Sequence, residues 1–248
     1  MRLGFFLYRL ALIQFLLFIS FSCTKDNRCD CFKSTGKESV IERIPTSFSK
    51  IYVEGKVDVY LTEDSVFGIK IEGGENVIDK IATNVENGEL KISNENTCNF
   101  VRSYKKKIKV FVRAPKFKEI MHKGIGDIYT IGVLNTDTIT YRIFNSGNLY
   151  LTVDNQYLVG GINGMGDFYG SGKTIKHLCN ANGEGWVDCR NLQTDNSDFY
   201  LKISGLTFIN VSQALNVVIK HSGDVYYKGN PATLQKQIDG TGKLIQGY

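Results

Sequence analysis

A motif that recurs from residue 124 to the end of the chain constrains the fold more than any other feature. Each copy has a glycine pair or Ser-Gly, a small polar residue and an alternating apolar run, as in Gly124-Ile125-Gly126-Asp127-Ile128-Tyr129. The last glycine of each copy, taken as its anchor, falls at positions 126, 147, 166, 185, 205, 223 and 242, so the successive differences are 21, 19, 19, 20, 18 and 19. A nearly fixed period predicts coils stacked on one another.

The run after each anchor predicts which side chains face the interior. The second residue past the anchor is apolar in six of seven copies, at Ile128, Leu149, Phe168, Val187, Thr207, Val225 and Leu244. Because strand side chains alternate between faces, the third residue should point outward. That outer row is Tyr129, Tyr150, Tyr169, Asp188, Phe208, Tyr226 and Ile245. One coil cannot cover its own apolar side, so neighbouring coils must bury the inner column.

We therefore predict an all-β protein, a single-stranded parallel β-helix (β-solenoid) with about 19–20 residues per coil over residues 116–248. Residues 41–115 alternate apolar and polar residues between glycine turns, which predicts an antiparallel N-terminal β section or cap. The stretch around Gly55 resembles one copy of the motif, but its distance from Gly126 is not a clean multiple of the period. We expect one short helix near residues 77–81 and one continuous domain over 41–248.

The anchor glycines predict tight corners. Glycine adopts positive φ at no steric cost, which suits a chain that turns in every coil. The alternative, a phosphate-binding Gly-X-Gly loop, requires a strand that leads into a helix, and no helix pattern follows here.

The N-terminus predicts export and a lipid anchor. Residues 1–22 combine basic Arg2 and Arg9 with an apolar run too short for a comfortable membrane span, as in a signal peptide. Cys23 follows directly and resembles a lipobox cysteine, with plain secretion as the alternative. Residues 23–40 read as a polar tether, and we expect the protein at the outer membrane of the cell envelope, on its surface or periplasmic face.

Composition narrows the partners. The net charge of +5 falls to +3 without Arg2 and Arg9, since 28 basic then face 25 acidic residues, which does not favour nucleic acid. Beyond Cys23, the chain has an odd number of cysteines, whose disulfide pairing the spacing leaves open: Cys29, Cys31, Cys98, Cys179 and Cys189. A bridge between Cys179 and Cys189 is conceivable, although a coil of this period does not stack two positions so close in the chain.

The outer row supplies the candidate ligand-binding residues, which are Tyr129, Tyr150, Tyr169 and Tyr226. An exposed file of tyrosines could stack on sugar rings or on another protein. The alternative is that stacked tyrosines stabilise neighbouring strands.

Other chemistry has weaker support. Asp127, Asn148, Asp167 and Asp224 follow their anchors, but turn formation explains them better than calcium. We expect no metal, no cofactor and no catalytic residues, because the histidines share no position in the coil and no nucleophile motif occurs. The run Lys105-Lys106-Lys107 reads as a solvated loop, with contact to anionic glycan or lipid head groups as the alternative.

The order of these segments resembles a known family, the putative auto-transporter adhesin, head GIN domain proteins of Bacteroidetes envelopes. The resemblance is carried by residues 48–61 and 87–92, by the segment Ile108-Lys109-Val110-Phe111-Val112-Arg113-Ala114-Pro115, and by the serial Gly-X-Gly-Asp coils. It implies a β-helix-like solenoid on an envelope lipoprotein, with adhesion suggested by the family name. We therefore expect a non-catalytic module that binds a cell-surface glycan or protein. The alternatives are a structural or assembly role and a β-helix carbohydrate enzyme, and a homo-oligomer through the solenoid edge is conceivable.

Overall fold

Nearly all of the described chain is strand, wound into stacked parallel coils. The computed structural model describes residues 34–96 and 107–248, which contain seventeen strands and one short helix, α1 (Glu75–Ile78). The strands of the first half are β1 (Glu38–Arg43), β2 (Lys50–Glu54), β3 (Asp58–Glu63), β4 (Gly68–Gly74), β5 (Ile81–Glu86), β6 (Glu89–Asn94), β7 (Lys109–Ala114), β8 (Glu119–His122) and β9 (Ile128–Thr130). Those of the second half are β10 (Thr138–Ile143), β11 (Leu149–Gly164), β12 (Phe168–Gly183), β13 (Val187–Ile203), β14 (Thr207–Ile219), β15 (Val225–Lys228), β16 (Thr233–Ile238) and β17 (Leu244–Gln246).

Two parallel ladders run along the stack. The first sheet joins β7, β3, β9, the first halves of β11 to β14, β15 and β17. The second sheet joins β6, β2, β8, β10, the second halves of β11 to β14, and β16. The four long strands bend between the sheets, so each coil contributes one segment to each.

The core lies between the two sheets, as the alternation predicts. In the first sheet Ile128, Leu149, Phe168, Val187, Thr207 and Val225 are fully buried, and Leu244 is half-buried at the open end of the stack. In the second sheet Ile139, Tyr141 and Ile143 of β10 point inward, while the residues between them point outward. The predicted solenoid is therefore confirmed.

The register of the strands reproduces the sequence period. Leu149 pairs with Ile128 on one side and with Phe168 on the other, and the same column continues through the later coils to Leu244. Each step along this column equals the corresponding interval between anchors. Coils of unequal length stay in register because the extra residues are taken up in corners and bulges.

The anchor glycines are required by close approach, not by positive φ as the sequence suggested. None of them is among the positive-φ residues of the described chain. A Cβ on Gly147 would lie 2.1 Å from the carbonyl oxygen of Gly126, and one on Gly166 would lie 2.2 Å from that of Gly147. The contact repeats up the column to Gly242, so any side chain here would push one coil off the next.

The N-terminal section is mixed, since it holds two parallel rungs as well as antiparallel strands. β2 and β3 form a coil that stacks directly against β8 and β9, and β6 and β7 form the next rung on its other side. β4 and β1 extend the first sheet in antiparallel fashion, and β5 does so for the second. The first coil uses Val57, not Gly55, in the anchor column below Gly126.

Several predictions fall outside the described residues. The signal peptide at 1–22, Cys23, the first part of the tether and Cys29, Cys31 and Cys98 all lie there. β1 begins at Glu38, within the segment predicted as tether. In the described ranges, no helix combines the length and hydropathy that a membrane span requires.

Candidate functional site

An aromatic ladder runs along the outer face of the first sheet. Tyr129, Tyr150 and Tyr169 occupy one outer row, with ring centroids 4.8 and 4.6 Å apart and planes within 10° and 4° of parallel. The ladder continues into the N-terminal coils, where Tyr60 stacks on Tyr129 at 5.2 Å and Phe111 stacks on Tyr60 at 4.9 Å. Sequence analysis missed these two rings, although Asp58-Val59-Tyr60 repeats the pattern of Asp127-Ile128-Tyr129.

The stacking changes what the ladder can offer a ligand. Coils lie about 4.8 Å apart, which is also the spacing of stacked rings, so each interior ring has both faces covered by its neighbours. Tyr129, for example, lies between Tyr60 and Tyr150. Contrary to the expectation of exposed flat faces, the interior tyrosines present only their edges to solvent.

The polar file beside the ladder binds each coil to the next. Asp127 Oδ1 accepts the backbone N–H of Asn148 at 3.1 Å, Asn148 Oδ1 accepts that of Asp167 at 3.0 Å, and Asp167 Oδ1 accepts that of Trp186 at 2.8 Å. The second oxygens of the two aspartates accept the hydroxyls of Tyr129 and Tyr169, at 2.9 and 3.0 Å. The file therefore links successive coils, because each Oδ1 accepts from the backbone of the next coil and not from its own turn, as the turn-forming interpretation expected.

These contacts shift the acidity of the phenols. Burial, followed by the hydrogen bond to Asp167, raises the pKa of Tyr169 to about 12. The same causes raise the pKa of Tyr129, with Asp127 as its partner, and burial raises that of Tyr150. All three tyrosines are therefore neutral at physiological pH.

The aspartates of this polar file do not support a metal site or a catalytic pair. Asp127 and Asp167 are separated by the coil of Asn148. Within the described ranges, no group of three His, Cys, Asp or Glu side chains is placed to hold a metal ion. Of the basic run, Lys107 is described, and its ammonium pairs with Asp58 at 2.9 Å.

The ladder is interrupted at Asp188. This residue stands in register between Tyr169 and Phe208, where the row requires a ring. Arg190 binds its carboxylate through Nε, 2.9 Å from Oδ1, and through Nη2, while the guanidinium carbon lies 4.5 Å from the centroid of Phe208. Burial opposes the charge on Asp188, but the hydrogen bonds and charge of Arg190 outweigh it and lower the pKa of the carboxyl.

Beyond the interruption a second, shorter stack begins. Tyr226 stacks on Phe208 at 5.3 Å, and Tyr248 meets Phe208 edge to face at 5.6 Å. The predicted ligand-binding residues therefore divide into two groups, with Tyr129, Tyr150 and Tyr169 on one side of Asp188 and Tyr226 on the other.

A shallow groove of about 360 Å³ lies at this interruption. Its lining includes Tyr150, Tyr169, Thr152, Ser171, Asp188 and Asn191. The strand register shifts between Tyr169 and Ser171, and again after Cys189, so that Arg190 to Leu192 bulge out of β13. Arg190 stands two residues after Asp188 at the start of this bulge, and the two side chains leave the strand on the same face.

A second polar group, which sequence analysis did not assemble, is buried between the sheets. Tyr141 Oη lies 3.0 Å from His177 Nε2 and 3.7 Å from Cys179 Sγ, and Cys189 Sγ lies 3.8 Å from His177 Nδ1. Both thiols are free, so the bridge considered between Cys179 and Cys189 is not formed. Burial lowers the pKa of His177 to about 3 and raises that of Cys179 to about 12, which leaves the group uncharged.

The C-terminal end of the stack is open. All six residues of β16 are exposed, including Leu234 and Ile238 in the inward-facing columns. Lys236 pairs with Val217 and so occupies an inward column that is apolar in the coil beneath. A charge that points inward on an edge strand disfavours pairing with another chain, so this edge is partly protected.

Comparison with known proteins agrees with this architecture. A family model described as "Putative auto-transporter adhesin, head GIN domain" matches residues 47–231. Its description indicates, in general terms, an adhesin-like protein of the cell surface or envelope. No curated protein matches the chain.

Solved structures with the same fold come from Bacteroides and Parabacteroides species. A putative adhesin from Bacteroides fragilis has a TM-score of 0.81 and 21% identity, over 87% of this chain and 100% of that one. A protein from Parabacteroides distasonis, described as a putative lipid binding protein, has a TM-score of 0.66 and 20% identity over 87% and 100%. A putative adhesin from Parabacteroides merdae has a TM-score of 0.64 and 18% identity over 86% and 97%. These identities establish the fold alone, but the family model covers most of the chain, and the protein therefore belongs to the putative auto-transporter adhesin, head GIN domain family.

Proposed function

We propose that this protein is a non-catalytic envelope lipoprotein that binds a cell-surface glycan on the outer face of the first sheet. The observation that carries the proposal is the arrangement of that face. A row of tyrosine edges runs beside a row of hydroxyls, in which Thr152 and Ser171 contact each other at 2.8 Å, and both rows border the groove at Asp188. Aromatic edges with closely spaced neutral donors and acceptors suit polyhydroxylated ligands better than charged ones.

Binding of the purified full-length protein to a glycan array tests this proposal. Joint replacement of Tyr129, Tyr150 and Tyr169 by Ala should abolish binding, because it removes the aromatic row. Tyr200→Ala is the matched control, since Tyr200 is an exposed tyrosine on the opposite sheet, 43% accessible. Equal loss in both variants, or full binding by the triple variant, would contradict the proposal.

A protein ligand on the same face is the closest alternative. It would appear as adhesion to cells that resists enzymatic deglycosylation but still requires the three tyrosines. A structural role in the envelope would instead give an envelope defect on deletion without any binding, and release of product from a bound glycan would indicate an enzyme.

The proposed anchor is a lipid on Cys23, which would hold the solenoid at the outer membrane. The support is the sequence of residues 1–23 and the family resemblance. Metabolic labelling with an alkyne fatty acid should mark the wild type but not Cys23→Ala, and Cys23→Ala should leave the membrane fraction. Labelling that survives this substitution would contradict the proposal.

A further inference from the structure

The two ends of the stack are closed to different extents. At the N-terminal end, antiparallel strands follow the last parallel rung, since β4 pairs with β7 in the first sheet and β5 pairs with β6 in the second. Ile71 of β4 and Ile81 of β5 are fully buried, and Ile78 of α1 belongs to the same core. The apolar interior is therefore covered at this end.

The C-terminal end of the second sheet is β16. This strand pairs with β14 along one edge, and no strand in the described part of the chain pairs with it along the other. Leu234 and Ile238 continue two inward columns of the sheet. The residues beneath them in those columns, Leu215 and Ile219, are buried, whereas these two are 44% and 41% exposed. The interior of the second sheet thus reaches solvent at β16.

The free edge of β16 also presents backbone groups. The N–H of Asp239 donates to the carbonyl of Ile219 on β14 at 2.9 Å. In a parallel strand the N–H and C=O of one residue point to the same side, and that side alternates along the strand. Leu234, Lys236 and Ile238 therefore direct their N–H and C=O groups at the open edge. A row of such groups is a template for a further strand.

Lys236 determines which strand this edge can accept. It stands between Leu234 and Ile238, in the column that Val217 fills in the coil beneath, and its ammonium has no ion-pair partner within the described ranges. Residues 225–248 carry three lysines and one aspartate, a net charge of +2. A second copy paired antiparallel about Lys236 would bring two ammonium groups together, which is destabilising. An acidic side chain at the facing position would instead attract the ammonium, and more strongly than in open solvent.

We propose that the free edge of β16 binds an extended segment of another protein as an additional strand. The bound segment has apolar side chains that cover Leu234 and Ile238, and between them one aspartate or glutamate that faces Lys236. Backbone hydrogen bonds supply affinity, and the charge selects this segment over a second copy of the chain. The site lies at the end of the stack, so the proposal does not depend on glycan binding at the outer face of the first sheet.

A pair of synthetic peptides tests the proposal. Both are fluorescein-labelled and have the sequence Thr-Val-Thr-X-Thr-Val-Thr, with Glu at X in one and Lys in the other, so that both valines and X lie on one face of a strand. Their affinity for the purified full-length protein is measured by fluorescence anisotropy. We expect the Glu peptide to bind at least about tenfold more tightly than the Lys peptide, a difference of about 1.4 kcal/mol.

Charge reversal on the protein separates a specific pair from general attraction. Lys236→Glu should invert the order, so that the Lys peptide binds more tightly than the Glu peptide. Lys202→Glu is the matched control, because it makes the same change in net charge at an exposed, outward residue of β13. In this control the preference for the Glu peptide should stay within about twofold of that of the wild type, since exposed charges away from the site contribute little. Circular dichroism checks that both variants keep the fold.

Methylation of alternate amides in the Glu peptide tests for pairing through the backbone. One of the two alternating sets of N–H groups would face β16 and the other would face solvent. Methylation of the first set should abolish binding, and methylation of the second should leave it unchanged. Equal effects of the two modifications would contradict strand addition.

The remaining outcomes are also decisive. Absence of binding by the Glu peptide, equal affinity for the two peptides, or equal responses to Lys236→Glu and Lys202→Glu would each overturn the proposal. A wild type that is dimeric in sedimentation velocity and does not take up the Glu peptide would make a second copy the occupant, which also overturns it. If the Glu peptide binds as expected while the glycan array shows no binding, the edge assignment stands and the proposed function fails.

Discussion

Replacement of an anchor glycine tests how the coils are held together. In Gly166→Ala the new Cβ would lie 2.2 Å from the carbonyl oxygen of Gly147 and 3.0 Å from that of Asn145. Ordinary contact needs about 3.4 Å, so the two coils would have to separate by roughly 1 Å at this corner. The N–H of Gly166 donates to Asn145 at 2.8 Å, and that hydrogen bond would be strained at the same time.

The expected cost follows from these two effects. Overpacking of a close-packed interior costs about 1–3 kcal/mol, and a weakened hydrogen bond adds about 1 kcal/mol. We therefore expect Gly166→Ala to lose about 3 kcal/mol of unfolding free energy, the middle of the summed range. For a domain of this size that loss lowers the melting temperature by about 6–12 °C.

Urea unfolding followed by Trp186 fluorescence measures this loss, since Trp186 lies in the coil above Gly166. Gly161→Ala is the matched control, because the Cβ there has one close neighbour, the carbonyl oxygen of Asn180 at 3.2 Å, which a small shift relieves. The reasoning is refuted if both variants lose the same stability, or if Gly166→Ala is as stable as the wild type.

Three further predictions concern pH and self-association. Because the pKa of Tyr169 is raised to about 12, the stability that the protonated Tyr169 hydroxyl contributes is complete below about pH 10 and is lost between about pH 10 and 12. In urea unfolding, Tyr169→Phe should show a smaller loss of stability over this range than the wild type, and an equal loss would contradict the prediction. Because the pKa of His177 is lowered to about 3, the stability that the neutral imidazole contributes is complete above about pH 6.5 and falls as the pH is lowered. His177→Gln should therefore lose less stability than the wild type between about pH 7 and pH 5 in urea unfolding, and an equal loss would contradict the prediction. Lys236→Leu makes the inward column of the open edge apolar, so in sedimentation velocity this variant should dimerise where the wild type sediments as a monomer. A wild type that is already dimeric would show that Lys236 does not protect the edge.

The stack itself could be predicted from the sequence because its period is a one-dimensional property. The anchors of the later coils give the register directly, and alternation then separates the inner column of Ile128 from the outer row of Tyr129. Neither step requires knowledge of contacts between distant segments.

The features that escaped prediction all depend on such contacts. The β2–β3 coil was obscured because residues 64–118 are inserted between it and its neighbour, so that Val59 pairs with Ile128. The covered faces of the tyrosines follow from the height of a coil, and the bulge at Arg190 to Leu192 follows from how β13 pairs with its neighbours. The anchor glycines were recognised, but for the wrong reason, because the sequence does not display the carbonyl beneath each one.

The position of the β2–β3 coil has a consequence for the order in which the protein folds. This coil lies between β6–β7 and β8–β9, both of which follow it in the chain. A chain synthesised from its N-terminus cannot complete this rung until the residues up to Thr130 are available, whereas each later coil can dock on the one before it. We therefore expect the local contacts of the C-terminal coils to form quickly and closure of the N-terminal layers to limit the rate.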